Sequence, residues 1–163
     1  MVLLLMPAIM ALSSDASLEI ARAGTPAETR SSQMSHAVGT FDVRITPVEP
    51  GEGDRTLGHG RMRIAKTFHG DLQGTGAGEM LAMMNDDRSG AYVAMERVSD
   101  GRTGAFSLVH RGIMNRGAQD LLIAIVPGSG VDGLTGISGV FHLAIADGEH
   151  RYDLEYALPE ATP

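Results

Sequence analysis

One lysine stands in this chain beside twelve arginines, and its setting makes it the first residue whose chemistry needs an explanation. Lys66 shares its alternation parity with Met62, Ile64 and Phe68, the more apolar side of its segment. An ammonium that faces inward beside apolar neighbours needs an anionic partner, or its charge is suppressed. Glu96 poses the mirror problem, on the parity of Tyr92, Ala94 and Val98. Two readings follow. Either Lys66 snorkels outward and Glu96 sits at a rim, or the two pair inside the fold, where functional groups collect. His110 lies on the parity of Phe106 and Leu108. Gathered together, Lys66, Tyr92, Glu96 and His110 are the candidate ligand-binding set. They could orient the polar end of a bound molecule. Alternatively, Glu96 could act as general base, with His110 or Lys66 stabilising developing negative charge.

Other chemistries are narrowed by what the chain lacks. There is no cysteine, hence no thiol nucleophile and no thiolate zinc site. The six histidines, at 36, 59, 69, 110, 142 and 150, form neither H-x-H nor H-E-x-x-H, and no metal site is expected. For His110 and His150 a hydrogen-bonded histidine at a strand end competes with a ligand or base. Gly128-Ser129-Gly130-Val131-Asp132-Gly133 formally matches the dinucleotide fingerprint, but glycines at 133, 136 and 139 interrupt the helix it would need. Gly136-Ile137-Ser138-Gly139 falls one residue short of a nucleophile elbow. No phosphate-binding loop is present either, and no cofactor is expected. A net charge of −7 and a pI near 5.2 argue against nucleic acid, which wants a basic face. Met80, Met83 and Met84 read as core filler in preference to a promiscuous binding surface.

The elements that must position these residues alternate with period two, the signature of half-buried strands. Phe41, Val43 and Ile45 open the series, and Met62 to Phe68, Tyr92 to Val98 and Phe106 to His110 continue it. Leu121 to Val126 is continuously apolar and reads as a strand buried on both faces. Phe141 to Ile145 and His150 to Leu158 close the pattern. Gly78 to Asn85 contains good helix formers, yet its place between strands predicts a strand entered through a bulge or kink. Turn signals punctuate the runs, with Asp100-Gly101 and Asp147-Gly148 as the expected tight hairpins. About eight strands joined by short turns predict an all-β fold, a closed eight-stranded antiparallel meander barrel, with a β-sandwich as the alternative. Glycine supplies 21 of 163 residues, and those at 74, 76, 136 and 139 would permit the coiling that closure demands.

Length fits one domain, spanning 34–163, preceded by a signal-like apolar segment and a Ser/Ala/Thr-rich linker over 1–33. Val2 to Leu12 is too short to span a bilayer as a helix but has the length of a signal-peptide core, with Ser14-Asp15-Ala16 as a small-x-small cleavage site. With Met1 as the biological start the protein is expected to be exported to the periplasm. With Met34 as the start it is cytoplasmic.

Five spaced blocks carry a resemblance. Lys66-Thr67-Phe68-His69-Gly70-Asp71-Leu72 and Gly90-Ala91-Tyr92-Val93-Ala94-Met95-Glu96 come first. Phe106-Ser107-Leu108-Val109-His110, Val126-Pro127-Gly128-Ser129-Gly130 and His150-Arg151-Tyr152-Asp153-Leu154-Glu155-Tyr156 follow in order. Together they resemble a bacterial family known only as domain of unknown function 3224, over essentially residues 36–158. The resemblance implies a closed eight-stranded barrel similar to that of allene oxide cyclase, which cyclises a fatty-acid epoxide, and it implies no activity. Where the family commonly continues Thr-Gly-Glu-Leu after the last of these glycines, this chain reads Val131-Asp132-Gly133-Leu134, so no loop glutamate carries over. The expected function is binding of a small apolar or amphipathic ligand inside the barrel. The alternatives are a cyclase or isomerase using a buried carboxylate, and a non-catalytic assembly protein whose outer face forms a homo-oligomer. A barrel filled by Met62, Ile64, Phe68, Phe106 and Leu108 would remove the basis of both cavity readings.

Overall fold

The computed structural model describes residues 34–51 and 58–160, all strand and turn. The expected signal-like segment and linker lie outside these residues. The strands are β1 (Ser35–Val48), β2 (Gly60–Gly70), β3 (Gly74–Met84), β4 (Gly90–Asp100), β5 (Gly104–Asn115), β6 (Ala118–Ile125), β7 (Val131–Asp132), β8 (Ser138–Ala146) and β9 (Glu149–Ala157). Each long strand pairs antiparallel with its neighbours around a ring. β1 through β6 follow in order, β8 and β9 complete the circuit, and β9 returns to β1. The result is a closed eight-stranded barrel, and the short β7 pairs only with the start of β5. Closure leaves no long edge exposed. The seam between β6 and β8 is thin, a single bridge at Ala124 and Val140.

Turn chemistry fixes the register. Asp147 and Gly148 have φ of 55° and 79° between the paired residues Ala146 and Glu149, as a two-residue primed hairpin requires. The expected tight turn at Asp100-Gly101 is instead a three-residue connection, because Asp100 pairs with Gly104. There the Asp100 carboxylate accepts from Thr103 Oγ1 at 2.7 Å and from the Arg102 amide at 3.2 Å.

Two other expectations are corrected. β3 pairs residue for residue with β2 and β4 through Gly74 to Ala82 without a bulge. Of its glycines, Gly76 makes room for an interior side chain, as shown below, while Gly74 and Gly78 let the β4 backbone come close. The apolar run Leu121–Val126 is not buried on both faces, since Ile123 and Ile125 point inward while Leu122 is 47% exposed.

Inward-facing residues stack in layers, and the two ends of the barrel differ. At one end Phe106, Leu108, Val98 and Leu154 are fully buried, and Leu72, Leu134 and Ile137 from the connecting segments close the opening. Toward the other end inward positions belong to Ile45, Met84 and Ile145, each half or more exposed. The aromatic end carries the packing. Phe106→Ala should therefore cost about 3–5 kcal/mol, read as a lower urea midpoint with little change in the slope of the transition.

Candidate functional site

The register explains how the polar residues meet. Lys66 on β2 pairs with Gly76 on β3, and Glu96 on β4 pairs with Gly78 on β3 and Leu108 on β5. His110 lies two positions further along β5, opposite Ala94. All three side chains point into the barrel from neighbouring strands, with only Gly76 and Gly78 between the lysine and the glutamate. Lys66 Nζ donates to Glu96 Oε2 at 2.7 Å. Side-chain exposure is 6% for the lysine and 0% for the glutamate. The pair is therefore internal, and the alternative of a snorkelling lysine with a rim glutamate does not describe this fold.

Glycine at 76 is a requirement of the pair. A Cβ built there would lie 1.9 Å from Glu96 Oε1, and 3.1 Å from the Phe68 ring. The missing side chain is the slot in which the carboxylate sits. Three rings surround the ammonium. Lys66 Nζ lies 4.6 Å from the Phe41 centroid, 5.8 Å from Phe68 and 5.7 Å from Phe141. Ring faces carry negative potential and offset part of the hydration the lysine loses.

His110 Nε2 approaches Glu96 Oε2 to 3.2 Å, but off the line of a hydrogen bond. Neither His110 Nε2 nor Glu96 Oε1 has a hydrogen-bond partner. Burial works to raise the Glu96 carboxyl, yet the close His110 ring and the Lys66 ammonium outweigh it and hold it below its ordinary range. The buried carboxylate is thus kept ionised by its two neighbours. His110 is mid-strand, not at a strand end. His36, His69 and His142 instead meet Asp153, Asp42 and Glu155 in partly exposed pairs on the outer surface.

Above this cluster the barrel is hollow. A cavity of about 360 Å³ opens at the methionine-rich end. Lys66, Tyr92 and His110 line it, and Glu96 does not, because it lies beneath them. Tyr92 leans across its partner Gly112, where a Cβ would meet the ring at 2.1 Å, and burial raises its phenol above the ordinary value. Met80 and Met84 line the cavity while Met83 is 47% exposed on the outside, so this cluster is cavity wall and outer surface, not core filler. The shared parity of 80 and 84 carries that signal. His150 also lines the cavity and packs tilted against Phe41, ring centroids 5.1 Å apart. The aromatic cage had no sequence signal beyond inward parity, since its rings come from three strands. Among the described residues no group of three or more His, Cys, Asp or Glu is placed to hold a metal.

A family model described as "Protein of unknown function (DUF3224)" matches residues 37–156. A crystal structure of a protein with unknown function from the same family, from Shewanella oneidensis MR-1, is similar at 38% identity and a TM-score of 0.70. The match covers 79% of this chain and all of that one. No curated protein matches.

The linkage sign for Glu96 is definite. A carboxyl held lower in the folded chain than in the unfolded one adds stability above its ordinary value of 4.5, and this is lost as pH falls through the folded value. Glu96→Gln removes that dependence and leaves Lys66 buried without its anion, a loss of about 3–5 kcal/mol. Urea titrations across the acid range should show a shallower pH slope and a lower neutral-pH midpoint in the variant.

Proposed function

The chain belongs to the DUF3224 family, and from its half-hollow barrel we propose that it binds one small amphipathic molecule, apolar body toward the methionine end and polar head on Lys66, His110 and Tyr92. The observation that carries this reading is the cavity itself: an apolar wall ending on a buried, charged floor. Binding sites are commonly built this way, with few polar groups fixing orientation at the end of an apolar pocket. Since the Lys66 charge is already matched by Glu96, the floor suits a neutral hydrogen-bond acceptor such as a hydroxyl or carbonyl better than a free carboxylate. Methionine side chains at the mouth adapt to ligands of differing shape. The cyclase or isomerase reading is less well supported, because Glu96 reaches a bound molecule only through Lys66 or His110 and is poorly placed as a direct general base.

Straight-chain alkanols titrated by calorimetry test the binding reading. Affinity should rise about fourfold per methylene, as about 0.8 kcal/mol per buried CH₂ implies, and level off once the chain fills the cavity. Ala82→Phe, which places a ring into the cavity wall, should weaken binding of the longer alkanols at least tenfold. No binding by any alkanol would discard the reading.

A second observation favours self-association. Leu81, Val93, Met95, Val109, Ile113 and Leu122 are 38–58% exposed on the outer faces of β3 to β6, with Leu81 paired to Val93 and Met95 to Val109. Arg111 and Asp120 sit among these residues as an exposed ion pair, so the face joins aliphatic area to a few charges. Exposed apolar area of this kind marks an interaction surface, and a second copy burying the same face is the simplest occupant. Sedimentation equilibrium should show a dimer or higher oligomer, with Val93→Lys shifting it to monomer. A wild-type monomer at every concentration would discard this.

A further inference from the structure

We propose that Lys66 captures small apolar aldehydes as a protonated imine, with Glu96 as counter-ion. The inference rests on the cavity being the ligand site and names the substrate class it would take.

Three features carry it. First, Lys66 offers a primary amine to an apolar cavity open at one end, where a carbonyl with an apolar tail would lie with its polar end at the floor. Second, the amine has its proton acceptor in place, Glu96 Oε2 at 2.7 Å. Third, the surroundings that hold the ammonium would hold the product equally well. A protonated imine is a cation centred on the same nitrogen, so the carboxylate and the three phenylalanine rings stabilise it as they stabilise the lysine.

The step balances without any further reagent. The ammonium passes a proton to Glu96, and the freed nitrogen lone pair attacks the carbonyl carbon. The C–N bond forms, the carbonyl π pair moves to oxygen, and a proton transferred from nitrogen makes the hydroxyl of a carbinolamine. Glu96 then returns its proton to that hydroxyl through His110, whose ring lines the cavity and lies 3.2 Å from the carboxylate. Water leaves and the nitrogen lone pair closes the C=N bond. An ammonium and an aldehyde become an iminium and water, with charge conserved.

Because Lys66 is the only lysine, its sole competitor among primary amines is the N-terminal α-amine. An ordinary lysine loses that competition near neutral pH, since the α-amine titrates at about 7.7–8.0 and lysine at about 10.4. The full chain is incubated at pH 7 with octanal and cyanoborohydride, which reduces imines irreversibly, then digested with trypsin and mapped by mass. Expected is one octyl group on the peptide Ile64–Arg88, left uncleaved at the modified lysine, formed at least tenfold faster than the α-amine adduct. Excess octanol should slow it, and urea denaturation should reverse the preference. With cinnamaldehyde and no reductant, the folded protein should show a red-shifted protonated-imine band that urea abolishes. Labelling of the α-amine alone, or a Lys66 preference that survives denaturation, overturns the proposal. Should octanol bind while Lys66 stays unlabelled, imine capture fails and the binding reading stands. If neither octanol nor octanal engages the protein, both fail.

Discussion

Two opposite charges 2.7 Å apart inside the barrel set the conditions the surrounding residues must meet. Removing a carboxylate and an ammonium from water costs several kcal/mol per ion even after relaxation, and their attraction repays this only when the geometry is good and other polar partners are near. Here the geometry is good on the lysine side, with one short hydrogen bond and three rings around the nitrogen. On the glutamate side it is incomplete, because Oε1 has no hydrogen-bond partner and lies over Gly76. Packed apolar residues of similar volume would often serve stability as well or better. A buried pair with one unsatisfied oxygen is therefore weak evidence for a purely structural role, and its position directly beneath a cavity is what the proposed binding reading rests on.

The rest of the barrel is arranged around this layer. Below it, Phe106, Leu108, Val98 and Leu154 fill the interior, and the segment carrying Leu134 and Ile137 covers that end. Above it, smaller or flexible side chains such as Ala82, Met80 and Met84 leave space unfilled. An eight-stranded barrel is just wide enough to be either packed or hollow, so side-chain volume at each layer decides which. Phe41 belongs to both halves, packing on Phe68 and Phe141 while facing the ammonium and the cavity. Repacking the aromatic end would therefore disturb the charged floor.

Much of the site was legible before the fold. The parity of Lys66 against Ile64 and Phe68, and of Glu96 against Val98, put both ions on apolar faces. That left two readings open, an internal pair or a snorkelling lysine with a rim glutamate, and the fold chose the pair. The hollow itself was not legible, because Met80 and Met84 are as compatible with a filled core as with a cavity wall. Nor was the separation of roles between Glu96 and His110, which depends on which side chain stands between the carboxylate and open space. Only a distance and a direction distinguish a group that touches a ligand from one that holds its neighbour.

Period-two hydrophobic patterning and glycine-rich turns determined the strands and most of their faces, because alternation and positive-φ turn positions are local properties of the chain. Closure into a barrel rather than a sandwich was decided by the long-range pairing of β1 with β9. Locality also explains the failures. Leu122 was misjudged because an apolar run does not state whether its second face is covered. A bulge was wrongly expected in β3 because the reason for Gly76 lies on β4, in the carboxylate that fills the space above it. The tertiary structure alone decided the cage of three rings, the depth of Glu96 and the empty upper layers. Each is a sum over residues from several strands, fixed by hydrogen-bond register and side-chain volume across the barrel.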